Sequence, residues 1–116
     1  MVLPNLLYDS LLANYDTIQD YTLGDTIDAP STVTNVVLNS SSGAATALTE
    51  AAIQAIQAIL INIVFPANSA RAFTVGGQPG TFIALNDNIA GFTAATDSII
   101  HLPTYNINSV NTVSIV

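Results

Sequence analysis

Residues 71 to 87, "RAFTVGGQPGTFIALND", have the clearest β-hairpin pattern in the chain. It contains two runs rich in β-branched and aromatic residues, and the loop "GGQPG" separates them. In that loop glycine permits positive φ and proline restricts its neighbour, which is typical of a β-hairpin. The runs "DSIIHL" (97–102), closed by Pro103, and "NTVSIV" (111–116) have the same composition. They predict a third and a fourth strand after the hairpin.

The segment before the hairpin has the periodicity of a helix. Thr49 can cap the helix, Glu50 stands in the first turn where the helix dipole favours an acid, and Pro66 stops it. The aliphatic residues follow a three- and four-residue spacing: Ile53, Ile56, Leu60 and Ile63. An amphipathic helix is therefore expected over about 49–62. The predicted fold class is α+β, with this helix packed on a β-rich, mainly antiparallel sheet or β-sandwich.

The segment between residues 29 and 46 is rich in hydroxyl and amide groups. "TVTNVVL" (32–38) is a short strand candidate, whereas "NSSSG" (39–43) has the composition of a loop. No chemistry is predicted for this segment.

Composition limits the class of protein. The 116 residues suit a single domain, half of them are hydrophobic, and only 8% are charged. A net charge of −7 argues against nucleic acid and anionic lipid as partners. The absence of cysteine excludes disulfides, zinc-thiolate sites and thiol catalysis. The most apolar run, residues 51–65, is shorter than the ~20 residues that span a bilayer, so no membrane insertion is expected.

Acidic residues are concentrated near the N-terminus. Four aspartates surround Gly24: Asp16, Asp20, Asp25 and Asp28. If this segment is a strand, Asp16, Ile18 and Asp20 share one face. Four carboxylates without a cationic neighbour suit a calcium site. The alternative is a solvated acidic face that keeps the chain soluble.

A second group of oxygen donors follows the hairpin. Asn86, Asp87 and Asp97 offer the hard oxygen ligands that calcium takes, although their spacing is not that of an EF-hand. The alternative is a turn in which Asn and Asp side chains bond their own backbone. Both interpretations stay open, and Ca²⁺ is the candidate cofactor.

Two stretches resemble a known family. "DTIQDYTLGDTIDAP" (16–30) resembles the segment that closes the calcium-binding β-roll of RTX, or haemolysin-type, secreted proteins, with one residue missing between Gly24 and Asp25. "ALTEAAIQAIQ" (47–57) and residues 65–100 resemble the C-terminal, bluetail-type module that follows such rolls in cyanobacterial proteins. The calcium-binding nonapeptide of the roll itself, G-G-x-G-x-D-x-U-x, does not occur in the chain.

The resemblance implies how the chain is organised and exported. It implies one domain, with residues 1–30 as an acidic roll-closing segment and residues 31–116 as the tail module. It also implies an extracellular or cell-surface location, reached by type I secretion without a cleaved N-terminal signal, and it leaves calcium binding open.

The residues argue against catalysis. The chain has no G-x-S-x-G, P-loop or dinucleotide fingerprint. His101 lacks a second histidine or a cysteine, so it is interpreted as structural or solvent-facing.

The charge deficit, the apolar ends and unpaired strand edges predict a homo-oligomer or polymer. The predicted function is a secreted, non-enzymatic structural protein that self-assembles into a surface layer, sheath or filament, with calcium as a candidate requirement. The alternative is a secretion or folding-cap module of an RTX protein, monomeric in isolation.

Overall fold

Two β-sheets dominate the computed structural model, which describes residues 11–28, 33, 36–56 and 65–116. The strands of these residues are β1 (Asp16–Thr17), β2 (Thr26–Ile27), β3 (Val36–Leu38), β4 (Ser41–Ala45), β5 (Ala70–Val75), β6 (Thr81–Leu85), β7 (Ser98–Leu102) and β8 (Val113–Ile115). The helical elements are a 3-10 turn, Leu12–Asn14, and the α-helix α1, Glu50–Gln54. The expectation of a β-rich fold is confirmed.

The predicted hairpin forms the centre of the larger sheet. β5 and β6 are antiparallel, with Phe73 opposite Phe82. The loop between them holds Gly77 at φ 79° and Gly80 at φ 75°, a conformation that glycine adopts without steric cost. β7 pairs antiparallel with β6, as expected for a strand that follows the hairpin closely.

Both sheets are mixed, whereas the sequence predicted a mainly antiparallel sheet or a β-sandwich. The five-stranded sheet has the order β1-β7-β6-β5-β4, and the three-stranded sheet has the order β2-β8-β3. Among the described strands, three pairs are parallel, β1–β7, β2–β8 and β4–β5, and three are antiparallel. Parallel neighbours need a long crossover connection, and the chain between β4 and β5, which contains α1, provides one.

The predicted loop "NSSSG" is largely strand β4. Ser41 is opposite Ala72, and Ala45 is opposite Val75. The register shifts between Ser41 and Ala44, where Gly43 has φ 147°. Hydrogen bonding to the edge of β5 overrides the low strand propensity of serine and glycine.

Both faces of the five-stranded sheet are covered. One face packs on the three-stranded sheet, and the buried cluster between them includes Ile27, Leu38, Ile83, Leu85, Ile100, Leu102, Val113 and Ile115. The other face packs on α1 and two loops through Ile53, Ile56, Phe65, Phe73, Phe82, Phe92 and Ile99. Every residue of β6 and β7 is therefore buried, instead of the alternation typical of a one-sided strand.

Helix α1 begins as predicted and ends earlier. The Thr49 hydroxyl accepts a hydrogen bond from the N–H of Ala52 at 3.2 Å, and Ile53 is fully buried against the sheet. The helix ends at Gln54 with Ala55 as its C-cap, so in the described part of the predicted helix only residues 50–54 are helical. The rest of the prediction, which included Leu60 and Ile63, falls on residues 57–64, outside the described residues. So short a helix depends on packing for its stability.

Candidate functional site

The ends of β6 and β7 bring two of the predicted site residues together. Leu85 is opposite Ser98 in the ladder, so the next residues outward, Asn86 and Asp97, lie opposite each other. Both side chains are completely buried. The sequence indicated these residues through their chemistry, and the antiparallel register makes them neighbours.

Asp97 is held by backbone donors. Its Oδ2 accepts the N–H of Thr93 at 2.6 Å, and its Oδ1 accepts the N–H of Asp87 at 3.1 Å. Burial raises the pKa of Asp97 to about 6, the negative charge of Asp87 adds to this rise, and the two N–H groups oppose it. Both carboxylate oxygens therefore stabilise the loop between β6 and β7 through hydrogen bonds to its backbone.

Asn86 and Asp87 tie this loop to the chain before β5. The amide of Asn86 donates to the carbonyl oxygens of Phe65 at 3.2 Å and Pro66 at 2.9 Å. Asp87 Oδ1 accepts the N–H of Ile89 at 3.0 Å, as in an Asx turn. The Asp87 contact is local, as in the turn interpretation, whereas the Asn86 amide reaches residues 20 and 21 positions earlier in the chain. Within the described residues Asn86 Oδ1 is buried without a hydrogen-bond partner.

The N-terminal acids are spread along the surface. Asp16 is half-buried, whereas Asp20, Asp25 and Asp28 are exposed. β1 ends at Thr17, so a shared face for Asp16, Ile18 and Asp20 is not formed: Ile18 is buried and Asp20 lies in an exposed turn.

Asp25 stabilises the turn in which it lies. Its Oδ2 accepts the N–H of Thr22 at 2.9 Å and the Thr22 hydroxyl at 3.2 Å. Its carbonyl oxygen accepts the Tyr21 hydroxyl at 2.7 Å, and that hydroxyl also accepts the N–H of Ser114 at 3.4 Å. Tyr21 therefore links the acidic turn to β8, a role that the sequence pattern did not reveal.

Across the described ranges, no three histidine, aspartate or glutamate side chains form a group that could hold a metal ion. Calcium binding by Asp16, Asp20, Asp25 and Asp28, or by Asn86, Asp87 and Asp97, stays a prediction.

His101 has a structural position. It is buried on β7, where its ring stacks on Phe82 with centroids 3.9 Å apart. Its Nε2 lies 2.8 Å from the carbonyl oxygen of Pro79. Because a carbonyl only accepts, this nitrogen carries the proton and donates it to the hairpin loop. The structural interpretation of His101 agrees with this geometry.

Exposed hydrophobic residues are concentrated in and next to the strands of the three-stranded sheet. Of the five exposed large hydrophobic residues in the described chain, four lie in this sheet or beside its strands: Leu23, Val37, Val110 and Val116. Val37 is 62% exposed. It is opposite Ser114, which is in turn opposite Thr26, so an uncharged row crosses the outer face of the sheet. The sequence pattern indicated the apolar chain ends but not Val37, because a short aliphatic run does not reveal which residue faces solvent.

A shallow groove opens beside the 3-10 turn and the first residue of α1. It has a volume of about 490 Å³ and is lined by Leu11, Leu12, Ala13, Leu48, Glu50, Ala94 and Ala95. Glu50 is the single charged residue of this lining, so the groove offers no converging set of polar groups.

No model of a known protein family, no curated protein and no solved structure matches this chain. The resemblance to RTX-associated tail modules therefore stays a prediction. In the part of the chain that the structure describes, no helix has the length and hydropathy needed to cross a membrane.

Proposed function

We propose that this chain is a secreted, non-enzymatic structural protein that assembles with its own copies into an extracellular surface layer, sheath or filament. The observation that carries the proposal is the exposure of Val37, on the outer face of the three-stranded sheet, together with three exposed hydrophobic residues next to strands of that sheet in the chain: Leu23, Val110 and Val116. Single exposed aliphatic residues are ordinary on a protein surface, but four around one small sheet are typical of an interaction site.

The distribution of charge also supports the proposal. Residues 29–49 contain no charged side chain, and they include β3 and β4, each at one end of its sheet. The aspartates of residues 16–28 lie in or beside β1 and β2, at the other ends of the two sheets. A partner with the same net charge of −7 is repelled least at the uncharged ends.

Sedimentation velocity over a hundredfold range of concentration, followed by electron microscopy, tests the proposal. We expect the weight-average mass to rise with concentration and ordered assemblies to appear. Discrete monomers throughout that range, with and without calcium, would contradict it.

A second function is favoured by the position of the acidic segment. Residues 16–28 supply β1, an edge strand of the five-stranded sheet, and β2, an edge strand of the three-stranded sheet. A β-roll that precedes this segment would pair with these edges and continue the sheets. In this alternative the chain is a secretion or folding cap and stays monomeric.

Calcium distinguishes the two proposals. For the cap, millimolar CaCl₂ should raise the melting temperature, because a ligand of the native state stabilises it, and particle size should stay constant. MgCl₂ at the same concentration is the control for ionic strength. A melting temperature that responds equally to both salts would count against a specific calcium role.

A further inference from the structure

Strand β3 is the least protected sheet edge among the described strands. β1 and β2 contain two residues each and have acids in or next to them, and β4 is interrupted by a register shift. Short length, charge and bulges are the features that discourage an edge from pairing with another chain. β3 is Val36–Val37–Leu38, with a regular register to β8 and no charged neighbour in residues 29–49.

The direction of the backbone groups of β3 follows from its neighbour. The N–H of Val116 donates to Ile27 of β2, so the even-numbered residues of β8 point their backbone groups toward β2. Val113 and Ile115 then point toward β3, where they are opposite Leu38 and Val36. Backbone groups alternate in direction along a strand, so the N–H and C=O of Val37 point away from β8.

This arrangement suits a second copy of the same strand. In an antiparallel pair, two residues directly opposite each other can exchange both N–H···O=C bonds. If Val37 is opposite Val37 of another copy, one outward N–H and one outward C=O on each chain satisfy each other. The side chain of Val37, 62% exposed in the single chain, then contacts its counterpart.

Electrostatic repulsion between the acids of the two copies is weak in this arrangement. In the combined sheet, the β2 strands with Asp25 and Asp28 beside them stand at the two far ends. They are five strand spacings apart, roughly 24 Å. At physiological ionic strength the screening length is about 8 Å, so their repulsion is largely screened.

We infer that two copies pair antiparallel through β3 about a two-fold axis at Val37, forming one sheet of order β2-β8-β3-β3-β8-β2. This inference rests on the proposed self-assembly and names its contact. Such an isologous contact closes a dimer, and a layer or filament adds a second contact elsewhere on the dimer.

Charge substitutions at Val37 test the two-fold axis, because residue 37 is its own partner across it. Val37→Lys and Val37→Glu should each weaken self-association by about tenfold or more, since like charges are then opposed. An equimolar mixture of the two variants should restore dimers in sedimentation velocity. Failure of the mixture to associate more tightly than either variant alone would overturn the two-fold pairing.

Val37→Pro tests the outward backbone bond. Proline removes the N–H that faces away from β8, so the fold should be kept while the dimer is lost. Val37→Ala keeps that N–H and should retain most of the association. Circular dichroism of each variant checks that it is folded.

The outcomes separate this inference from the proposed function. If the wild-type chain assembles and the charge variants assemble equally well, self-assembly stands and the β3 contact is wrong. If the wild-type chain stays monomeric at every concentration, the proposed function itself fails.

Discussion

Asp97 shows how one buried residue can make stability depend on pH. It is fully buried, its carboxylate accepts two backbone N–H groups, and burial raises its pKa to about 6. A carboxyl whose folded-state pKa lies above its unfolded value binds more protons in the folded state over that interval. Its contribution to stability is therefore present at acidic pH and is lost as the pH rises toward 6.

We expect the free energy of unfolding contributed by Asp97 to fall between about pH 4 and pH 6. Asp97→Asn should flatten this slope. At pH 7 it should also destabilise the protein by about 1–3 kcal/mol, because an amide cannot accept both N–H groups as the carboxylate does. Urea unfolding at several pH values measures both effects.

Asp20→Asn is the matched control, since it removes the same charge from an exposed turn. It should leave the slope between pH 4 and pH 6 close to that of the wild type. An equal change of slope in both variants would contradict the assignment to Asp97.

At the scale of elements, the loop between β5 and β6 shows two separate requirements for glycine. Gly77 and Gly80 both have positive φ, which disfavours any residue with a side chain. They differ in their surroundings. A Cβ on Gly77 meets open space, whereas a Cβ on Gly80 would contact the Leu102 carbonyl oxygen and lie 2.6 Å from the carbonyl carbon of Pro103.

This difference predicts unequal costs for the same substitution. Gly77→Ala should destabilise the protein by about 1 kcal/mol, the cost of strained φ. Gly80→Ala should cost clearly more, since the backbone after β7 must also move away. Thermal or urea unfolding of the two variants measures the difference. Equal losses would show that the hairpin loop and the end of β7 are not in close contact.

At the scale of the whole molecule, charge is segregated. The described acids between residues 16 and 28 accompany β1 and β2, and the edges formed by β3 and β4 are uncharged. With a net charge of −7, two copies repel each other at long range even when they meet at the uncharged ends.

Self-association should therefore strengthen with salt. The screening length falls from about 30 Å at 0.01 M salt to about 8 Å at 0.15 M. It is therefore longer than the separation of the acids in the proposed dimer, roughly 24 Å, at low salt and shorter at physiological salt. We expect the dissociation constant from sedimentation equilibrium to fall over this range of NaCl. A dissociation constant that rises with salt would indicate an interface held by ion pairs instead.

Local sequence signals alone determined several parts of this protein. The hairpin of residues 71–85, the strands near residues 98–102 and 113–115, and the Thr49 cap could all be predicted. Each depends on neighbours within a few residues, through turn chemistry, strand composition or a capping hydroxyl. The oxygen donors Asn86, Asp87 and Asp97 could also be identified, because their chemistry follows from residue type alone.

Other features depend on contacts between segments that are distant in the chain. Ser41–Ala45 is a strand because β5 offers it an edge, and the sheets are mixed because distant segments pair in parallel. The burial of Asp97 opposite Asn86 depends on the register of β6 and β7, and the exposure of Val37 depends on which face of β3 packs inward. Propensity describes a residue and its neighbours along the chain, whereas pairing and burial depend on which distant segment packs against it.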